Sequence, residues 1–190
     1  AGERVAPDFA ARLEQAGVSG VAVHGRFATQ LYTGSADWSI IDDVASRVAI
    51  PVVGSGDVFS AEDAVRMLTT TAASAVFVAR GTYGNPWVFE DAFNLLQGNP
   101  VSPHTESERL DALREHLRLL HAHDAHMARA RTFATWYLKG MVHAAAWRGR
   151  VVRCQTFEDF MQLVDLIEED VRACAALKAD GQAVPALSEM

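Results

Sequence analysis

No uninterrupted apolar stretch in this chain approaches the roughly 20 residues that a bilayer-spanning helix needs, so no membrane span and no membrane partner are expected. Cysteine is nearly absent too. Cys154 and Cys174 are too few for a disulfide scaffold, which points to a reducing, cytoplasmic setting, and their helical context marks both as structural thiols rather than nucleophiles. The first residues lack the basic and apolar blocks of a signal peptide. A recognised metal-ligand spacing such as His-Glu-x-x-His is also missing. His116, His121, His123 and His126 cluster with Asp124, but only some pairs share a helical face, and a polar helix end is the better account. The last shortage is local: between Arg129 and Arg153 there is no acidic residue, although the chain as a whole is acidic at net −7.

What is present begins with three apolar runs, each ending in a short polar loop. Val21-Ala22-Val23 leads into His24-Gly25-Arg26, Ile50-Pro51-Val52-Val53 into Gly54-Ser55-Gly56-Asp57, and Ala75-Val76-Phe77-Val78-Ala79 into Arg80-Gly81. Their spacing of roughly 25 to 30 residues is that of a strand and helix unit in a parallel sheet. Because each run is apolar throughout, the strands are expected to be covered on both faces, with a ligand site at their carboxyl ends. Pro7 to Ala16 and Trp38 to Val48 have helical spacing, and Gly17 reads as a helix stop. Ser60-Ala61-Glu62-Asp63 reads as a capping box opening a helix over 61–68, with Ser60 accepting a backbone hydrogen bond and Asp63 reaching back. Trp38, Trp87 and Phe89 are expected in the core.

After Gly98-Asn99-Pro100 and Pro103 the pattern is helical only. Thr105 to Glu108 forms a second capping box ahead of Leu110, Leu113, Leu117 and Leu120. Thr156 to Asp159 forms a third, ahead of an apolar face of Phe157, Phe160, Val164, Ile167 and Val171. The expected domains are therefore 1–98, an α/β layer, and 99–179, a helical bundle, with a flexible tail over 180–190. Three parallel strands are too few to close a barrel of about eight. Since the chain starts at Ala1 inside what reads as a repeat, a carboxyl-terminal fragment is expected, which either pairs with an absent amino-terminal half-barrel or self-associates through its open edges.

Two sets of residues suit ligands. Gly54, Gly56 and Gly81 let backbone amides approach a phosphate, and Arg80 adds a charge-assisted contact; Asp57 would instead hold the loop or Arg80. Six of the 17 basic residues, Arg129, Arg131, Lys139, Arg148, Arg150 and Arg153, fall in the acid-free stretch, leaving 11 against 24 acidic ones elsewhere. Trp136, Tyr137 and Trp147 interleave with them, a pattern suited to RNA phosphates and unpaired bases.

His24-Gly25-Arg26 with Gln30, Tyr32, Gly34 and Ala36-Asp37-Trp38, then Gly54-Ser55-Gly56-Asp57, Arg80-Gly81, Gly84-Asn85-Pro86-Trp87 and Trp136-Tyr137-Leu138-Lys139-Gly140 together resemble the tRNA-dihydrouridine synthases in order and spacing. The resemblance runs from about Pro7 to Phe160. It implies the last three strands of a (β/α)8 TIM barrel that holds FMN, followed by an all-α tRNA-binding domain, in an enzyme that reduces uridine to dihydrouridine with NADPH or NADH as donor. By resemblance, Ser55-Gly56-Asp57 and Ala79-Arg80 cradle the FMN phosphate together with Gly54 and Gly81, and His24 and Arg26 lie near the flavin. Arg131, Tyr137, Lys139 and Arg148 are the implied tRNA contacts.

The family's cysteine acid and flavin-contacting lysine come from the earlier half of its barrel and match nothing here. No catalytic residue is assigned, and this chain alone is not expected to turn over. It also departs from the family, with Phe27-Ala28 where Thr-Arg is common, Ser55 for asparagine, Ala79 for glycine, and Thr132-Phe133 where a basic pair often stands. Serine can still hydrogen-bond and alanine adds only a methyl group, whereas the missing basic side chains lower the expected tRNA affinity. The alternative is a non-catalytic RNA-binding or assembly module that lacks the flavin site.

Overall fold

The computed structural model describes residues 4–187, and within them the chain divides into two compact units. The first holds the residues up to Thr82 and Trp87–Val101. Helix α1 (Ala6–Gln15), strand β1 (Val21–His24), α2 (Ser39–Arg47), β2 (Val52–Ser55), α3 (Ala61–Thr70), β3 (Ala75–Phe77) and α4 (Val88–Leu96) follow one another. The strands pair in parallel in the order β1-β2-β3, with Val21 beside Val52 and Val53 beside Ala75. The α/β alternation expected from the sequence is therefore present.

The covering of the sheet differs from expectation. Val21, Val23, Val52 and Val76 pack with Ala10, Ile41, Val44 and Met67 of the helices, and Gly54 sits among them. The alternate positions, Ala22, His24, Ala75 and Phe77, are exposed, Phe77 by 59%. Successive right-handed crossovers place their helices on one side of a sheet, so within this unit the other face stays open despite apolar residues on it.

Local signals account for the helix ends. Ser60 Oγ accepts from Asp63 N–H at 3.2 Å, but Asp63 Oδ2 accepts from Phe59 N–H at 3.0 Å, one residue earlier than a capping box requires. After α1, Val18 N–H bonds to Leu13 O and Gly17 N–H to Glu14 O, closing the helix at its glycine.

The second unit holds Tyr83–Pro86 and the residues from Ser102 onward. Its helices are α5 (Glu106–Ala122), α6 (Ala128–Tyr137), α7 (Ala144–Val151) and α8 (Phe157–Ala179). Both capping boxes form: Thr105 with Glu108 and Thr156 with Asp159 each exchange side-chain and backbone hydrogen bonds. Leu110, Leu113, Leu117, Trp147, Phe160, Val164 and Ile167 are buried in one core, and Leu120, Phe157 and Val171 line its edge. Tyr83–Pro86 groups with these helices rather than with residues 1–98. At Gly84, φ is +68° and an added Cβ would lie 2.6 Å from the Trp136 carbonyl carbon, so only glycine suits both the backbone and the space.

The tail is more engaged than expected. Pro185 O accepts from His143 Nε2 at 2.8 Å, and Leu187 packs on the core, while positions 188–190 lie outside the described residues. Among the described residues no helix is long and apolar enough to cross a membrane.

Candidate functional site

The first site lies at the carboxyl ends of the three strands, where three loops share one carboxylate. Asp57, after β2, accepts from Arg26 NH2 and from Ala36 N–H, both at 2.7 Å, and both donors belong to the loop after β1. Its other oxygen lies 3.5 Å from the guanidinium of Arg80, after β3. Burial raises the Asp57 carboxyl, but the Arg26 and Ala36 hydrogen bonds and the two guanidinium charges outweigh it and hold the group below the usual carboxylate range. Asp57 thus ties the loops together.

Arg26 is buried, its side chain 5% exposed. Its NH2 also donates to Gly34 O, whereas its Nε and NH1 are buried with no acceptor among the described residues. Arg26 lines a cavity of about 230 Å³ with His24, Gly25, Phe27, Gln30 and Asp37. His24 ends β1, exposed, and its Nδ1 accepts from Arg26 N–H at 3.2 Å. Asp37 sits below its ordinary value chiefly because the Ser39 hydroxyl donates to it. Trp38, half-buried, donates its indole N–H to Gly56 O at 2.8 Å and packs at the core edge. Trp87 is half-buried. Phe89 is exposed by 57%, contrary to the expected core position, because α4 turns it away from the Val88 side that packs.

The glycines have reasons of their own. A Cβ on Gly54 would meet Met67 Sδ at 2.6 Å, on Gly81 the Val58 carbonyl oxygen at 2.4 Å, and on Gly56 the Ala36 Cβ at 2.8 Å. Close packing of the chain on itself therefore requires all three. Ser55 is half-buried at the end of β2, and Ala79 is exposed beside Arg80. The half-exposed Arg80 guanidinium at the strand ends suits an acceptor-rich anionic ligand.

The second site is on the helical unit. Lys139 and Trp136 are exposed together, with the Lys139 ammonium 5.8 Å from the indole centre. Arg131 is half-buried, its Nε donating to Cys154 O at 2.8 Å, and Arg148 is half-buried on α7. The aromatic residues read as stacking platforms need correction. Tyr137 is 5% exposed and Trp147 2%, both within the core. Tyr137 Oη lies 3.4 Å from His116 Nδ1, and burial pushes its phenol up, so it supports the surface from beneath. The loop carrying Lys139 is braced by Arg109, which donates to the carbonyls of Tyr137 and Lys139, and by Glu106, which accepts from Val142 N–H at 3.0 Å.

A buried polar node escaped the sequence reading. Asp170 accepts from Trp147 Nε1 at 2.8 Å and from His143 Nδ1 at 2.9 Å, and the Cys174 thiol lies 3.5 Å away. His143 starts α7 at φ +51°. The signal available was Asp170 on an otherwise apolar helix face. These contacts account for His143, Asp170 and Cys174 as a hydrogen-bonded group. Of the clustered histidines, His116 packs on Phe133 and His121 stacks on Phe157. Both cysteines are free and buried, and burial pushes both thiols up, away from nucleophilic character.

Residues 2–175 match the family model described as dihydrouridine synthase. A probable tRNA-dihydrouridine synthase of Mycobacterium tuberculosis is 37% identical over 163 residues, covering 83% of this chain and 42% of the relative. The tRNA-dihydrouridine synthase B of Xanthomonas axonopodis pv. citri is 36% identical over 157 residues, covering 80% and 47%. A probable tRNA-dihydrouridine synthase 1 of Synechocystis is 31% identical over 170 residues, covering 88% and 48%. The chain thus spans less than half the length of these curated relatives.

Proposed function

Because the chain belongs to the dihydrouridine synthase family, we propose that it contributes the flavin-phosphate end of an FMN site and the tRNA-binding surface of a tRNA-dihydrouridine synthase. Residues 1–98 are then the last three strands and helices of a (β/α)8 barrel, and 99–179 the tRNA-binding domain. The open face of the sheet, with Ala22, His24, Ala75 and Phe77, supports the first assignment as the side that would look into a barrel. The observation that carries the reading is the Asp57 node, where two arginines meet one carboxylate at the strand ends.

Bound flavin, reduced by NADPH or NADH, would supply the hydride that saturates the uracil ring. The chain's own residues bind and orient. Arg80, with the Ser55-Gly56 backbone and the neighbouring Ala79 and Gly81, would hold the phosphate, and His24 and Arg26 would lie toward the ring. Lys139, Arg131 and Arg148 would neutralise tRNA phosphates, with Trp136 as the exposed aromatic among them. No residue here is assigned to proton transfer.

A second reading is a non-catalytic RNA-binding or assembly module. It is favoured by the packing reasons for Gly54 and Gly81, which would keep those glycines whether or not flavin binds. Titrating FMN into the protein while following flavin fluorescence, with and without tRNA, separates the two. Saturable quenching supports the synthase reading; tRNA binding with no flavin binding supports the module, or a cradle that needs the other half of the barrel.

A further inference from the structure

Around the strand ends, two guanidinium groups face one carboxylate, and they do not share it equally. Arg26 is buried and lies 2.7 Å from Asp57; Arg80 is 39% exposed and 3.5 Å away. The buried pair is the tighter one, because screening by water is weakest there. Asp57 is therefore neutralised mainly by Arg26. Among the described residues one positive charge is left over at the strand ends, and it sits on Arg80.

Two aromatic residues from different loops meet that charge. The Tyr32 ring centre lies 4.6 Å from the guanidinium carbon of Arg80, and the Phe59 ring centre 5.1 Å. Neither ring is explained by core packing, since Tyr32 is 73% exposed and Phe59 49%. The backbone that carries each ring is nevertheless held. The Tyr32 loop is pinned by Gln30 Nε2, which donates to Thr33 O and Ser35 O, and Phe59 is fixed by its N–H bond to Asp63. A guanidinium against an aromatic face keeps its N–H donors in its own plane, where they can meet two oxygens of one phosphate, and contact with the rings restricts its rotamers before a ligand arrives.

We propose that Tyr32 and Phe59 are positioning residues that hold the Arg80 guanidinium, the charge remaining after Arg26 neutralises Asp57, against the phosphate of flavin mononucleotide. The inference rests on the flavin reading above and goes beyond it by assigning a role to two side chains that reading does not use. The device acts on the phosphate alone and leaves the isoalloxazine ring to other groups. Its signature is discrimination between FMN and riboflavin, which share the ring and differ in the phosphate.

The test is to titrate FMN and riboflavin separately into wild-type protein, Tyr32→Ala and Tyr32→Phe. Tyr32→Ala is expected to weaken FMN by about two- to fivefold and leave riboflavin unchanged, and Tyr32→Phe, which keeps the ring, to restore FMN binding. Equal weakening of both ligands would mean a damaged pocket and would overturn the proposal, as would an unchanged FMN affinity. If wild-type protein binds neither flavin, the flavin reading fails, and inorganic phosphate decides the inference through the NMR resonance of Arg80 Nε–H. A phosphate-dependent shift that weakens in Tyr32→Ala keeps the grip; no shift overturns it.

Discussion

Arg26 NH2 donates to Asp57 Oδ2 at 2.7 Å, joining the loop after β1 to the loop after β2 with a side chain that is almost wholly buried. Removing one partner of such a pair strands the other charge. Asp57→Ala should cost about 2–4 kcal/mol of stability and Asp57→Asn less, because the amide oxygen can still accept from Arg26 or Ala36. Urea unfolding of the two variants checks the order. The Asp57 carboxyl is lowered in the folded state, so its contribution is present above its unfolded value and is lost as pH falls through the lowered one.

His143 has the opposite sign. The Asp170 hydrogen bond raises its pKa against the effect of burial, and the Pro185 carbonyl raises it further, while the Lys178 charge opposes. Both ring nitrogens face acceptors, and a neutral imidazole carries one N–H. The stabilisation is therefore fully present below the unfolded value of about 6.5 and fades as pH rises through the raised folded value. The stability gap between wild type and His143→Gln should be widest at acidic pH and narrow as pH rises; a gap that is flat from acidic to alkaline pH would refute the assignment.

Two glycine-to-alanine changes should act oppositely. At Gly81 the new Cβ would sit 2.4 Å from the Val58 backbone oxygen, which has little room to yield, and the expected loss is about 1–3 kcal/mol. Gly149, inside α7, has nothing within 4 Å of its added Cβ. There alanine should gain about 0.4–1 kcal/mol by lowering the entropy of the unfolded chain. Thermal melts of both variants give the comparison.

On the helical unit, Lys139→Ala should weaken tRNA binding and lower the slope of log affinity against log salt by about one. Tyr137→Phe should leave the slope unchanged, since the buried hydroxyl meets His116 and not solvent. Fluorescence anisotropy across a salt series reads both.

Much of this was legible in the residues, and the gaps have physical causes. The alternation from α1 to β3 and both helical capping boxes follow from local chemistry, because caps and apolar spacing act over a few residues. The elements of this unit cover one face of the sheet only, since an all-apolar run records a residue's tolerance for burial and does not say which neighbour covers it. Interleaved Trp147 and Tyr137 looked like an RNA platform, but helical periodicity put them on the inward face. The task of Asp57 was foreseen in outline. Its main partner, Arg26, lies 31 positions away, and nothing local to either residue announces the pair. The same holds for Asp170 and His143, joined across 27 positions.

The most direct measurement compares FMN with riboflavin on the wild-type protein at two ionic strengths. The surplus charge on Arg80 predicts that FMN binds more tightly than riboflavin and that the advantage shrinks as salt rises. Equal affinities, or an advantage unmoved by salt, would contradict a phosphate grip at the strand ends.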